Sequence, residues 1–453
     1  MLSFADNVAR FCEREQLFRR VKNVLVAVSG GADSTACLLT LVELRERFGF
    51  EVTAVHFDHQ LRSDSSADMA VVRDMCDRLG VACLSGEGDV RGFAHERKMG
   101  IEEAARRMRY QFLAFVAAEK RSDCIATGHT ADDQAETILM RILRGSGVRG
   151  VRGMLPSAPL PGAPALRLIR PLLATRRADT EAFCASSGIT PLEDPSNRDT
   201  AMTRNHLRLE TLPALEAINP SVRQALLGLA QSARELFVGI ERASYGAQPV
   251  ARTPVGAIFE ASVLAALPNE ALTLVIEREA GFFKLQPEVN RTRIENLRVV
   301  LSRQAGEVRF GDMAVQVSCA KARLGPPLAG EPFAGAILNV PGATAAGRWR
   351  VELSSSELAP REGASLAALD VDAVQGVLRI RAVRPGDRIR YHGIERKVGD
   401  LFANAKVPAW ERLGVVAVAD SARVHLLFTA TTTFEADRRA TANVLRLRLT
   451  ATN

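Results

Sequence analysis

Residues 24–39, VLVAVSGGADSTACLL, decide the fold. Val24 to Val28 is short, β-branched and almost free of polar groups, which reads as a buried strand of a parallel sheet. From about Ser34 to Arg47, apolar positions recur at helical spacing among good helix formers. Ser29 to Ser34 is therefore a strand-to-helix turn. Its adjacent glycines, Gly30 and Gly31, let backbone N–H groups curl inward and a bulky anion come close. The helix N-terminus behind them favours negative charge, so the turn reads as a phosphate loop. It is not the common one, because G-x-x-x-x-G-K-S/T needs a lysine that is missing here. The dinucleotide pattern G-x-G-x-x-G is absent as well. What remains is S-G-G-x-D-S, with hydroxyls at Ser29 and Ser34 and a carboxylate at Asp33; a plain capped turn would use similar residues.

Two more strands follow outward from this one, VTAVHFDH (52–59) and CIATGH (124–129), with helical stretches between them. A βαβα order predicts an α/β fold with a doubly wound parallel sheet and right-handed crossovers. Ligands of such sheets bind beyond the carboxyl ends of the strands. Three polar clusters stand at those ends: Ser29–Ser34, Asp58–Arg62 and His129–Glu136. Their coincidence predicts one shared site.

A chain of 453 residues exceeds one typical core and predicts two to four domains. With 47% hydrophobic and 25% charged residues, the composition is that of an ordinary soluble protein. The net charge of +7 permits nucleic-acid binding if the basic residues cluster on one face. Seven cysteines without a C-x-x-C pair argue against a disulfide framework, a zinc ribbon and a cysteine-held iron–sulfur cluster. A cytoplasmic location is the expectation. The first residues carry acids and lack a long apolar run, unlike a signal peptide, and no run reaches the length of a membrane span.

Residues 154–173, MLPSAPLPGAPALRLIRPLL, are rich in proline and read as a surface loop returning to regular structure. A Leu/Ala-rich stretch from about Thr211 to Arg303 reads as helical. Short alternating runs with Gly/Pro turns begin near Val308. The last unit opens with LRIRAVRPGDRIRYHG (378–393), whose alternation about Pro-Gly-Asp predicts a hairpin with one basic face. The expected domains are 1–215, a catalytic α/β domain; 216–305, a helical linker; and 306–453, β-rich, with a small α+β terminal domain from about 376.

Four stretches carry chemistry. In FDHQLRSDSSADMA (57–70), Asp58 and His59 end the second strand, where backbone groups can hold adenine and Arg62 can orient phosphates. In IEEAARRMRYQFL (101–113), Arg106, Arg109 and Tyr110 share a helix face. In TGHTADDQAETILMRILRGSGVRGVRGM (127–154), His129, Asp133 and Glu136 fall at i, i+4 and i+7 if a helix runs through them. Carboxylates there can hold Mg²⁺ or take a proton from an attacking amine. Arg144, Arg149 and Arg152 follow among glycines, as a basic loop contacting phosphates would. In LEDPSNRDTAMTRNHLR (192–208), Arg204 and Arg208 share a helix face and, with Asn205, can grip RNA.

The first motif resembles the PP-loop of the N-type ATP pyrophosphatases, which cleave ATP to AMP and pyrophosphate. The set as a whole resembles one family, the tRNA(Ile)-lysidine synthases. The resemblance rests on SGGADS, DHQLR, ARRMRY, TGHTADDQAET with LRGSGVRGVRGM, RPLL and EDPSNRDTAMTRNHLR, over roughly residues 20–215. RIRAVRPGDRIRYHGIERKVGDLFANAKVPAWER is similar to that family's terminal tRNA-binding domain. Leu192 stands where an aromatic residue is more usual, which puts local packing in question.

The resemblance implies a ligase that uses ATP and Mg²⁺ to join free L-lysine to C2 of the wobble cytidine in the CAU anticodon of tRNA(Ile). It implies that Ser29, Gly30, Gly31, Ala32, Asp33 and Ser34 hold pyrophosphate, with Asp33 also on magnesium. Asp58, His59, Gly128 and His129 would contact ATP. Asp133, with Glu136 beside it, would recognise and deprotonate the lysine ammonium, Arg109 would bind its carboxylate, and Arg144, Arg149, Arg204, Asn205 and Arg208 would bind tRNA. A homodimer is compatible with the sequence. NAD, GMP or asparagine synthetases would share the loop without needing ARRMRY or a basic tail. A tRNA thiolase would usually need paired cysteines, and a non-catalytic RNA-binding module would need no ATP loop.

Overall fold

The computed structural model describes residues 3–61, 65–192, 200, 202–328, 333–361, 364–429, 432–438 and 443–451. Arg62 and residues 193–199 lie outside the described residues. The chain divides into two compact units, Met1–Val238 and Gly239–Asn453.

The first unit is built on a six-stranded sheet. Its strands, in spatial order, are Ala82–Glu87, Glu51–Asp58, Asn23–Ala27, Cys124–Thr127, Ala163–Ile169 and Ser157–Leu160. The first five are mutually parallel. Alternate residues of Asn23–Ala27 serve two cores: Val24 and Val26 pack with Ala36, Cys37 and Leu41 on one face, and Leu25 packs with Tyr110, Leu113 and Val116 on the other. That is why the strand reads as a continuous apolar run. Strand order reverses between Asn23–Ala27 and Cys124–Thr127, so the loops after these two strands face each other at the crevice where such sheets take ligands.

The segment expected to be a proline-rich loop supplies two strands instead. Ser157–Leu160 runs antiparallel at the sheet edge, with its register shifting at Pro159. An edge strand tolerates proline because its outer side needs no ladder donor.

In the second unit, the helices Ala261–Ala266, Asn269–Phe282 and Arg291–Arg303 share one core with a five-stranded sheet. That sheet joins Gly256–Glu260 to Lys321–Gly325, Met313–Ser318 and Gly306–Phe310. The strands after residue 305 therefore complete the helical region rather than open the terminal one. The expected hairpin at 378–393 does not form. Arg379–Ala382 pairs with Val416–Ala419, whereas Arg388–Tyr391 pairs with Ile394–Lys397. Ile380 and Ile389 enter different cores. Asp387 closes the turn by accepting from both terminal nitrogens of Arg381, at 2.7 and 2.8 Å, and from the Arg384 amide at 2.7 Å.

All seven cysteines are free, and among the described residues no helix is long and apolar enough to cross a membrane.

Candidate active site

The strand-to-helix turn forms as its sequence requires. Gly30 has φ +89°, and an added Cβ would stand 2.5 Å from Leu192 Cδ1. The Leu192 amide donates to the Gly30 carbonyl at 2.9 Å, so the unusual residue packs directly on the loop. Ser34 Oγ accepts from the Ser29 amide at 3.1 Å and donates to the Gly31 carbonyl at 3.0 Å. Helix Ala32–Phe48 starts from Gly31 with no side-chain cap, which leaves its first N–H groups turned to the crevice.

Opposite it, Gly128 ends the strand Cys124–Thr127. An added Cβ there would stand 2.4 Å from the Asp33 carbonyl oxygen and 2.8 Å from Ser34 Cα. Backbone cannot yield as a flexible side chain can, so Gly128→Ala should push the loops apart. ATP affinity is expected to fall at least tenfold, read by equilibrium binding of a non-hydrolysable analogue, with the fold retained by circular dichroism.

His129 lies before the helix Ala131–Leu143, whose N-cap is Thr130. The expected continuous face His129–Asp133–Glu136 is thus not one helix face, because Thr130 and Asp133 form a capping box that starts the helix after the histidine. His129 Nδ1 is 2.8 Å from Thr127 Oγ1. Burial holds the imidazole down at about 3; Asp133 opposes this, while Arg170, Arg204 and Arg109 reinforce it. An imidazole neutral in the fold but ordinary near 6.5 when unfolded takes up a proton on unfolding below that pH. Its contribution to stability is full above about 6.5 and is lost as pH falls toward about 3. Urea midpoints should fall between about pH 7 and 5, and less steeply for His129→Asn.

The carboxylates are heavily engaged. Asp33 accepts from Thr180 Oγ1 at 2.6 Å and from Arg177 Nε at 3.0 Å. Burial raises its pKa, and Arg177 and Thr180 oppose the rise. Asp133 accepts from the Thr130 amide and hydroxyl at 2.9 and 3.1 Å through one oxygen. Through the other it accepts from Arg204 at 3.0 Å and Arg208 at 3.3 Å. Burial works against its ionised form, yet Arg204, the Thr130 amide and Arg177 hold its pKa below the ordinary value. Glu136, fully buried, accepts from Arg204 Nε at 2.8 Å and Arg208 Nε at 2.6 Å.

Arg204 and Arg208, expected to grip RNA, are instead paired with two buried carboxylates, although Arg204 still borders a cavity; Asn205 is buried. Arg177 was not singled out in the sequence. Its side chain spans Asp33 and Asp133, and its amide donates to Asp132 at 2.8 Å. Asp132 in turn accepts from Arg223 at 3.0 Å. The faint sequence signal was its place just after RPLL, at the start of the helix Arg177–Ser186.

Two cavities meet here. One, of about 730 Å³, is lined by Ser29, Asp33, Ser34, Asp58, His59 and Gly128, among others. The second, of about 850 Å³, is lined by Arg106, Arg141, Arg149, Arg152, Arg170 and Arg204, among others. Arg109 and His129 line both. The Arg109 guanidinium is buried against the Tyr110 ring, 5.5 Å from its centroid. Arg144 is exposed at the end of its helix and lines neither cavity. Asp58 accepts from the Gln60 amide at 2.8 Å, and the His59 ring meets Phe57 edge-on at 5.0 Å.

Among the described residues there is no group of three or more His, Cys, Asp or Glu side chains placed to hold a metal. One carboxylate beside a phosphate loop suits Mg²⁺, which binds through one or two carboxylates plus substrate phosphates. Asp33 fits that donor set once Arg177 gives up one of its oxygens.

A parallel sheet whose first turn is S-G-G-x-D-S, facing a second loop across the strand-order reversal, defines a PP-loop nucleotide-binding domain, and residues 2–215 match the PP-loop domain family. The chain is 30% identical over 433 residues to the tRNA(Ile)-lysidine synthase of Dehalococcoides mccartyi (strain CBDB1), covering 89% of this chain and 90% of that one. It is 29% identical over 449 residues to the tRNA(Ile)-lysidine synthase of Bacillus cereus (strain ATCC 10987 / NRS 248), covering 92% and 90%. Against that of Geobacillus kaustophilus (strain HTA426) the identity is 39% over 220 residues, covering 48% and 47%. The chain belongs to the tRNA(Ile)-lysidine synthase family, whose members are ATP-using ligases.

Proposed function

We propose that the protein joins L-lysine to C2 of the wobble cytidine of a CAU-anticodon tRNA(Ile), by way of a tRNA adenylated on the C2 oxygen. The observation that carries this reading is the pair of cavities meeting at Arg109 and His129, one beside the phosphate loop and one ringed by arginines. ATP occupies the first, with its phosphates on the Ser29–Ser34 turn. The wobble base and lysine enter the second, and the C2 oxygen meets the α-phosphate where the two join.

In the first step the C2 oxygen bonds to the α-phosphorus and pyrophosphate leaves. Ser29, Gly30, Gly31, Ala32 and Ser34 hold the departing phosphates, and Asp33 supplies the protein oxygen for Mg²⁺, which would neutralise their charge. His129, neutral, donates no charge and serves as a hydrogen-bonding wall. This step is mainly positioning and charge neutralisation.

In the second step the lysine ε-nitrogen bonds to C2 and the C2–O bond breaks, releasing AMP. Asp133 holds the ammonium and Arg109 the carboxylate, while Glu136, buried, keeps Arg204 and Arg208 in place beneath them. The surrounding guanidiniums disfavour a second positive charge, which eases loss of the ammonium proton. That first proton leaves to solvent before attack; Asp133, held ionised, takes the second proton as the C–N bond forms and the nitrogen turns acidic. Arg149 and Arg144 contact the tRNA backbone.

The test is incorporation of radiolabelled lysine into a CAU-anticodon tRNA(Ile) transcript with ATP and Mg²⁺, against a transcript carrying uridine at the wobble position. ATP-dependent label confined to the first transcript is the expected result. Pyrophosphate release without label would overturn the choice of lysine as nucleophile.

A further inference from the structure

RPLL was singled out in the sequence, yet the mechanism above uses none of it. Its arginine, Arg170, stands at the carboxyl end of the strand Ala163–Ile169 and is 7% exposed. It lines the 850 Å³ cavity. One terminal nitrogen donates to the Leu155 carbonyl at 2.6 Å, and Nε has no partner. Among the described residues, no carboxylate pairs with it.

Its surroundings deepen the imbalance. Seven arginines line this cavity and a single carboxylate, Glu102, does so with them. Arg204 is neutralised by Asp133 and Glu136. Arg141 donates to the Gly150 and Gly153 carbonyls, at 2.8 and 2.7 Å. Burial presses the Arg170 pKa down, Tyr110 resists, and Arg106 and Arg141 press further. A buried guanidinium without a counter-ion is costly. Such a group is stabilised when an anion joins it, and Arg binds carboxylate and phosphate through a planar fork.

We infer that Arg170 is an oxyanion-binding residue of the second cavity, its guanidinium, unmatched by any carboxylate, receiving a carboxylate or phosphodiester oxygen of a substrate. The inference rests on the proposed function only for the source of that oxyanion: the lysine carboxylate or the tRNA backbone. The Leu155 carbonyl, partly exposed, takes water when the side chain is removed.

The test is the ligand-induced rise in melting temperature of wild type, Arg170→Met and Arg170→Lys. The probes are L-lysine, cadaverine (lysine without its carboxylate), a CAU-anticodon tRNA(Ile) transcript and inorganic phosphate. Wild type should be stabilised by at least one oxyanion probe. Arg170→Met should lose most of that increment, and Arg170→Lys, with charge but no fork, should keep part of it. Loss confined to L-lysine, with the cadaverine increment intact, identifies the carboxylate; loss confined to tRNA identifies the phosphodiester. The ligand-free Met variant should melt no lower than wild type, and by about 2–4 °C higher if the unpaired charge costs about 1 kcal/mol. Wild-type increments for every probe in Arg170→Met, or no increment from any probe in wild type, would overturn the inference. Failure of the lysine-labelling experiment would instead overturn the proposed function and leave the phosphate arm standing.

Discussion

Asp133→Asn is expected to slow lysine transfer by about a hundredfold or more, while tRNA-dependent pyrophosphate release changes only a few-fold. The asparagine oxygen keeps the cap on the Thr130 amide and hydroxyl, so the start of the helix Ala131–Leu143 survives. What is lost is the negative charge between Arg177, Arg204 and Arg208. An amide N–H₂ there faces three guanidiniums, and the lysine ammonium loses its carboxylate. The split between half-reactions is the decisive reading: if Asp133 served only to hold the fold, both would fall together. Glu136→Gln should be the less stable protein, because breaking a fully buried pair costs about 3–5 kcal/mol. The comparison of the two variants separates recognition of lysine from support of the arginines.

Arg177→Ala should strike both half-reactions. Its guanidinium bridges Asp33, at 2.9 Å, to Asp133, at 3.4 Å, and so links the phosphate loop to the lysine side. Without it Asp33 keeps only the Thr180 hydroxyl and faces Asp133 with no positive charge between them, while Asp133 retains Arg204 and Arg208. The expected stability loss is about 2–3 kcal/mol, below the usual figure for a buried pair, because 27% of the Arg177 side chain reaches solvent. Pyrophosphate release is expected to fall at least tenfold. Arg177→Lys should recover stability better than rate, since an ammonium supplies the charge but cannot reach both carboxylates as a fork does. Denaturant midpoints and initial rates check the two parts separately. Equal recovery of both would contradict the bridging role.

The features legible in the sequence are the local ones. The strand, glycines and helix of residues 24–39 follow from neighbours in the chain, as do the three strand ends that meet at the site. Pairings across long separations left no such mark. Thr180 and Arg177 reach Asp33 across 147 and 144 residues. The i, i+4 spacing of Arg204 and Arg208 tells that they share a face but not that Glu136 lies under it. Likewise, alternation at 379–391 predicts two strands, while their partners are set by Ile380 and Ile389 entering separate cores. The strands after residue 305 read as a new region because their partner, Gly256–Glu260, precedes the intervening helices.

In the proposed reaction one site adenylates the tRNA and then passes it to lysine. Its most direct measurement uses ATP labelled at the α-phosphate, CAU-anticodon tRNA(Ile) and no lysine, followed by a lysine chase. The expected result is label bound to the tRNA, in amounts that rise in Asp133→Asn, and its release as AMP when lysine is added to wild type. Label that never joins the tRNA while lysine is still incorporated would contradict it.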